Sequence, residues 1–132
     1  MLTAEQMLDT IDDAYEARVR GDKEKLKSYW APDATFRIAG ASSLIGDARA
    51  GPAHPHEAVS ALVDQFSFDK AERVDAVVQG NKAAVHWRIT VSVPGKAPVT
   101  TELLDLFEFD DDGKAKSLTQ FADTALIKAL VS

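Results

Sequence analysis

The chain has 132 residues, the usual size of a single domain, and its composition is ordinary for a globular protein. A formal net charge of −6 argues against a nucleic-acid partner, which would require a clustered basic face. The absence of cysteine excludes disulfides, thiol catalysis and cysteine-ligated metals. No apolar run approaches the ~20 residues that cross a bilayer, and the acidic N-terminus is unlike a signal peptide. We therefore expect a cytoplasmic protein with no membrane partner.

The first part of the chain has the pattern of helices. From Thr3 to Arg20, apolar residues recur every three or four positions, which predicts an amphipathic helix with Thr3 as N-cap and Gly21 as its end. Asp22 is placed to cap a second, short helix that continues to Trp30. The apolar stripe of the first helix consists of Met7, Leu8, Ile11, Ala14, Tyr15 and Val19.

The rest of the chain is mainly strand-like. Alternation over 34–38 predicts a first strand, and a third helix should begin at Pro55, with Val59, Leu62, Val63 and Phe66 inward. Four strands are then predicted over 71–79, 82–93, 99–109 and 116–124, while the tail after Thr124 is too short to classify. The long loop 40–53 is placed to frame a pocket mouth. Helices followed by antiparallel strands predict an α+β fold with helices on one side of a curved sheet.

Asp105 is the unusual residue of this pattern. In the strand 99–109 it belongs to the more apolar alternate set, which should face inward. An ionised carboxylate in that position loses several kcal/mol of hydration unless it is paired or hydrogen-bonded. The sequence therefore predicts a partner, a cavity or a bound proton at Asp105. The members of this alternate set are Val99, Thr101, Leu103, Asp105, Phe107 and Phe109.

The order of elements, with the segments GDKEKLKSYWAPDATF and DLFEFDDDGKAKSL, resembles the nuclear transport factor 2-like superfamily. Within it, the chain is most similar to the SnoaL-like group, which includes polyketide cyclases and ketosteroid isomerase. The resemblance covers the whole chain as one SnoaL-like domain, residues 1–132. It implies a cone-shaped, curved antiparallel or mixed sheet wrapped around N-terminal helices, with a central pocket.

The resemblance also implies roles for particular residues. Ketosteroid isomerase uses an aspartate base and an oxyanion hole made of a tyrosine and a protonated aspartate. The oxyanion-hole aspartate corresponds to Asp105, the base to Ile38 and the tyrosine to Ala14, next to Tyr15. Because isoleucine cannot move a proton, true ketosteroid isomerase activity is not expected. The SnoaL-type cyclases imply a single aspartate acid/base in a hydrophobic cavity, with no metal or organic cofactor. The Asp, Arg, Asp network of limonene epoxide hydrolase cannot be assembled from inward positions.

Three polar residues are therefore catalytic candidates. Asp105 is either an acid/base or a fold residue bonded to Tyr15 or to a backbone amide. Tyr15 is either a pocket residue or a core residue with its hydroxyl at the rim. Gln120 faces the pocket if Leu118 and Ala122 do, as the resemblance implies, or faces solvent if Phe121 is inward. The apolar ligand-binding wall, most of which can equally be core, would be Trp30, Phe36, Ile38, Trp87, Ile89, Phe107 and Leu118.

The outer face of the sheet offers two interpretations. His86 and Arg88 share it with Glu102 and Glu108, so it is either a solvated face with cross-strand pairs or, as the resemblance implies, a homodimer interface. We expect the homodimer, because Leu104 and Leu106 also lie on this face.

His54 and His56 could ligate a metal ion. No third ligand is evident, so we interpret them as an exposed helix start and expect no metal site.

Two functions from different classes remain. The first is a cofactor-independent cyclase or isomerase acting on a small hydrophobic carbonyl compound, with Asp105 as acid/base and Tyr15 and Gln120 orienting the oxygen. The second is a noncatalytic module, which either binds an apolar ligand in the same pocket or dimerises around a filled core. The sequence does not identify the ligand.

Overall fold

The computed structural model describes residues 2–40 and 55–131, which form four helices and a five-stranded sheet. This is the predicted α+β class. None of the described helices is both long and apolar enough to cross a membrane. In chain order the elements are α1 (Ala4–Arg20), α2 (Lys23–Lys27), β1 (Trp30–Ile38), α3 (Pro55–Gln65), β2 (Ser67–Gln79), β3 (Lys82–Ser92), β4 (Val99–Phe109), β5 (Ala115–Ala122) and α4 (Thr124–Leu130).

The sheet is curved and mixed, with the strand order β1-β5-β4-β3-β2. β1 pairs with β5 in parallel, and the other three pairs are antiparallel. β1 and β2 form the two edges, so the sheet does not close into a barrel. This arrangement places β4 at the centre, with β3 on one side and β5 on the other. Asp105 therefore lies in the middle of the sheet.

The ends of α1 are those that the sequence predicts. The side chain of Thr3 accepts a hydrogen bond from the Gln6 amide, and the Gln6 side chain accepts one from the Thr3 amide, which completes a capping box. Gly21 ends the helix in the left-handed conformation, with φ +70°. The predicted stripe needs one correction: Val19 is 38% exposed, whereas Arg18 is only 8% exposed.

Several other boundaries differ from the predicted ones. α2 ends at Lys27 rather than Trp30, because Trp30 already pairs with Ala115 as the first residue of β1. β2 begins at 67 rather than 71, because its first residues, despite their polar character, pair with the end of β3. The unclassified tail forms α4, which Asp123 caps by accepting from the Leu126 amide. The predicted loop 40–53 lies outside the described residues, apart from Gly40.

The predicted faces of the central strands are correct. In β4, Leu103, Asp105, Phe107 and Phe109 are buried, while their outward neighbours are mostly exposed. β3 alternates in the same way, with its inward set buried: Ala83, Val85, Trp87, Ile89 and Val91. The buried side chains of these two strands and of β5 form one core with the inner face of α1.

The left-handed conformation of Gly21 predicts that glycine at this position stabilises the C-terminal end of α1. Gly21→Ala should lower the free energy of unfolding by about 1 kcal/mol, because a Cβ is unfavourable at positive φ. Chemical denaturation measures the change, and Glu16→Ala on the exposed face of the same helix serves as the control. Equal stability of Gly21→Ala and the wild type would contradict this account of the helix end.

Candidate functional site

A cavity of about 120 Å³ lies between the helices and the inner face of the sheet. Residues of all four described helices line it on the helical side, and residues of all five strands line it on the sheet side. Most of its wall is hydrocarbon, as is typical of small-molecule sites. The polar residues among those that line it are Thr10, Tyr15, Arg18, Tyr29, Thr101, Gln120 and Asp123.

Three residues from three elements meet beside this cavity, and we call them the Asp105 cluster: Asp105 of β4, Tyr15 of α1 and Gln120 of β5. The Tyr15 hydroxyl donates a hydrogen bond to Asp105 Oδ2. Gln120 lies directly opposite Asp105 in the antiparallel pair, and its Nε2 donates to Asp105 Oδ1 at 3.1 Å. The same Nε2 lies 3.4 Å from the Tyr15 hydroxyl oxygen. Both carboxylate oxygens of Asp105 therefore have a donor.

The three members of the cluster do not face the cavity equally. Tyr15 and Gln120 are among its lining residues, whereas Asp105 is not and is 0% exposed. Gln120 points inward because Leu118 also does, while Phe121 is 43% exposed on the outer face. A ligand in the cavity would therefore meet Tyr15 and Gln120, with Asp105 behind them.

Aromatic rings fix the position of Tyr15. Its ring stacks on that of Trp87, with 3.9 Å between centroids and 18° between planes, and it also faces Phe68 at 6.4 Å. Trp87 was predicted to belong to the cavity wall, but it is not a lining residue; its contact with Tyr15 gives it a positioning role. The other six residues of the predicted wall do line the cavity: Trp30, Phe36, Ile38, Ile89, Phe107 and Leu118.

Burial dominates the electrostatics of the cluster. It raises the pKa of Asp105 from 3.8 to about 7, although the hydrogen bonds from Tyr15 and Gln120 act in the opposite direction. Burial and the neighbouring Asp105 carboxylate raise the pKa of Tyr15 well above its usual range. Tyr15 therefore stays protonated at physiological pH, and Asp105 is the member that titrates near neutrality.

Arg18, which is not among the residues predicted from the sequence, is also buried beside the cavity. Its Nη2 donates to the carbonyl oxygens of Leu62, at 3.2 Å, and Phe66, at 2.7 Å. Its guanidinium carbon lies 3.9 Å from the centre of the Phe68 ring. Its position in the sequence did indicate burial: Arg18 is three residues after Tyr15 and seven after Ile11, so it lies on the same buried face of α1.

Tyr29 is a second polar lining residue that the sequence analysis missed. Its hydroxyl oxygen is buried and has no hydrogen-bond partner among residues 2–40 and 55–131. Nothing in its sequence context distinguishes Tyr29 from an ordinary core tyrosine, so its place at the cavity becomes evident only in the folded structure.

The positions compared with ketosteroid isomerase also lie at the cavity. Ala14 and Ile38 both line it, and neither carries a functional group. Tyr15, one position after Ala14, bonds to Asp105 instead. Arg18 has no carboxylate partner in the described part of the chain, so no Asp, Arg, Asp network forms there.

The histidine pair is only partly visible. His54 lies outside the described residues, whereas His56 is in the first turn of α3. Among the residues that the structure describes, no three His, Asp or Glu side chains are grouped to hold a metal ion.

Solved structures with the same fold come from several bacteria. A Bacillus subtilis protein proposed to be an isomerase superposes with a TM-score of 0.83 at 12% identity, over 99% of this chain and 96% of that one. A nuclear transport factor 2-like protein of unknown function from Burkholderia pseudomallei gives 0.78 at 20% identity, over 96% and 98%. An epoxide hydrolase from Mycobacterium tuberculosis, similar to limonene epoxide hydrolase, gives 0.73 at 12%, over 96% and 90%. At these identities the likeness establishes the fold alone.

Sequence comparison defines the family more narrowly. No protein of curated function matches the chain. The model of the SnoaL-like domain matches residues 11–118, which include Tyr15, Arg18 and Asp105. The chain therefore belongs to the SnoaL-like domain family, within the nuclear transport factor 2-like superfamily.

Proposed function

We propose that this protein binds a small hydrophobic compound with a carbonyl or hydroxyl group and transfers a proton at that oxygen without a cofactor. The main observation behind this proposal is the position of the Tyr15 hydroxyl. It is hydrogen-bonded to the wholly buried carboxyl group of Asp105 and lies with Gln120 at an apolar cavity. A polar group in such a wall fixes the orientation of a ligand oxygen. The cavity volume suits a ligand of about the size of one six-membered ring.

The direction of the Tyr15 hydrogen bond depends on the protonation state of Asp105. When Asp105 is ionised, Tyr15 donates its proton to the carboxylate. When Asp105 is protonated, it can donate to the Tyr15 oxygen, which leaves the Tyr15 proton free for a ligand oxygen. Because the pKa of Asp105 is about 7, both states are populated near neutral pH. Asp105 would therefore act as acid/base through Tyr15 rather than by direct contact.

In the reaction we propose, a ketone becomes its enol. The carbonyl oxygen takes the proton of Tyr15, Tyr15 takes the proton of Asp105, and a water molecule that enters with the ketone takes its α-proton. Reversal of these transfers restores Asp105 and, in D2O, leaves deuterium on the α-carbon. Hydrogen bonds from Tyr15 and Gln120 to the developing oxyanion are stronger in an apolar cavity than in bulk water, because the local dielectric constant is low. The proposed isomerase and the epoxide hydrolase among the structural neighbours support an enzymatic role on this fold.

One observation favours a second candidate, the noncatalytic binding module. Asp105 does not line the cavity, and both of its oxygens already accept hydrogen bonds. In that case Asp105 only holds Tyr15 and Gln120 in position, and the pocket binds its ligand without transferring a proton.

Cyclohexanone separates the two functions. In D2O, the wild type should accelerate exchange of the ketone's α-protons, and Tyr15→Phe and Asp105→Asn should each lose at least tenfold of that acceleration, since acid–base catalysis is worth roughly 10²- to 10⁴-fold. Proton NMR measures both exchange and binding in one sample. Tyr29→Phe, which removes another hydroxyl at the cavity, is the matched control and should retain the exchange.

The binding measurement decides what a negative result means. Binding of cyclohexanone without faster exchange would contradict proton transfer and support the binding module. Exchange that persists in Tyr15→Phe would show that the proton does not pass through Tyr15.

The raised pKa of Asp105 also predicts how stability depends on pH. Because the folded protein keeps this proton to about pH 7 and the unfolded chain loses it near pH 4, the free energy of unfolding should fall as pH rises between these values. The slope from this one group is at most about 1.4 kcal/mol per pH unit. The stability of the wild type minus that of Asp105→Asn, measured by denaturation from pH 5 to 8, isolates the effect. If the difference in free energy of unfolding stays constant or rises with pH, the raised pKa of Asp105 is contradicted.

We also propose that the protein is a homodimer through the outer face of the sheet. Leu104, Leu106 and Phe121 are 41–43% exposed there, and Leu104 lies directly opposite Phe121 on the neighbouring strand. Polar contacts adjoin this apolar patch: a hydrogen bond between His86 and Glu102 at 2.5 Å and an ion pair between Arg88 and Glu72 at 3.0 Å. An apolar centre with a polar rim is typical of protein interfaces.

Leu104→Glu combined with Leu106→Glu should convert the dimer into monomers, because the charges would be buried unpaired in the interface. Sedimentation at micromolar concentration measures the state. Val19→Glu is the control, since Val19 is a similarly exposed apolar residue on α1. A monomeric wild type would contradict the proposal.

A further inference from the structure

Arg18 is a buried cation whose charge no carboxylate neutralises in the described part of the chain. Only 8% of the residue is exposed, and none of the ion pairs found among the described residues includes it. Both of its hydrogen bonds start from Nη2. The donors on Nε and Nη1 have no acceptor among those residues.

The partners that Arg18 does have are uncharged. Leu62 is in the last turn of α3 and Phe66 follows its end, so their carbonyl oxygens belong to the negative end of the helix dipole. The face of the Phe68 ring adds a cation–π contact. These contacts offset part of the cost of burial. Burial still lowers the pKa of Arg18 to about 10, which leaves it charged at neutral pH.

Arg18 and the Asp105 cluster face the same cavity side by side. Arg18 follows Tyr15 by three residues on α1, a spacing that puts the two Cβ atoms about 5–6 Å apart on one helix face. Both line the cavity, and both contact Phe68, which lies 3.9 Å from the guanidinium and 6.4 Å from the Tyr15 ring. A small ligand can therefore reach both groups.

We propose that the ligand of this cavity is a small hydrophobic carboxylic acid, whose carboxylate is bound by the free donors of Arg18 while a second oxygen, a few ångströms away, meets Tyr15 and Gln120. This inference rests on the proposed function and specifies its ligand class. One carboxylate matches the single charge of Arg18 and forms strong charge-assisted hydrogen bonds. A phosphate dianion would bring an uncompensated charge into an apolar space.

Phenylacetate and phenylacetamide test this proposal, because they match in size and differ in charge. At pH 7 and low salt, the wild type should bind the carboxylate at least tenfold more tightly than the amide by calorimetry. Arg18→Met should reduce this preference to about onefold. Arg20→Met is the matched control, since it removes the same charge from the exposed face of α1 and should keep the preference.

A merely structural Arg18, which only caps α3, gives a different result. Arg18→Met would then lower stability and weaken both ligands equally, so an unchanged preference would overturn the proposal. The Arg18 Nε–Hε resonance of the wild type provides a measurement that needs no variant. It should shift with phenylacetate and not with phenylacetamide, and equal responses to both would also overturn the proposal.

The design separates failure of this inference from failure of the proposed function. If the amide binds as well as the acid, the cavity binds apolar ligands but Arg18 does not select an anion. If neither binds and cyclohexanone also fails to bind, both proposals are wrong.

Discussion

One buried hydrogen bond, from Tyr15 to Asp105, joins α1 to the centre of the sheet across ninety residues of sequence. The carboxyl group has lost its hydration completely, and Tyr15 and Gln120 replace the lost water. Removing any one of them leaves a buried polar group unpaired, at a cost of about 1–3 kcal/mol. The fold therefore depends on the same contacts that define the site. A change in this cluster would alter stability together with the proposed chemistry, which is why conservative variants are needed to separate them.

The same contacts explain where the cavity lies. The stacked rings of Tyr15 and Trp87 occupy the space between α1 and β3. The end of α3 is held to α1 by the two hydrogen bonds of Arg18, and residues of α4 also line the cavity. Two of the polar groups in this mainly apolar wall, Tyr15 and Arg18, are therefore carried by α1. A rigid helix fixes their separation better than loops do.

The alternation of apolar and polar residues along the strands made the faces of the central strands predictable from the sequence. A period of two gave the inward faces of β3 and β4, and hence the burial of Asp105. It could not choose between the two faces for Gln120, because residues 118–122 mix polar and apolar types on both faces; the register with β4 decides it. Arg18 was missed because an arginine on an apolar stripe normally extends to solvent. Only the packed end of α3 shows that its guanidinium stays inside.

The residues at the positions compared with ketosteroid isomerase differ in a way that bears on the proposed chemistry. Isoleucine and alanine occupy the positions of the base and the tyrosine, so neither position can abstract a proton. Asp123, a carboxylate that does line the cavity, caps α4 by accepting a hydrogen bond from the Leu126 amide. Tyr15, one position after Ala14 on α1, lines the cavity, and the fully buried Asp105 lies behind it. Arg18 has no carboxylate partner among the described residues, and we assign its free donors to the carboxylate of the proposed ligand. In the proposed complex, α1 would therefore carry both the group that binds the acid and the group that transfers the proton.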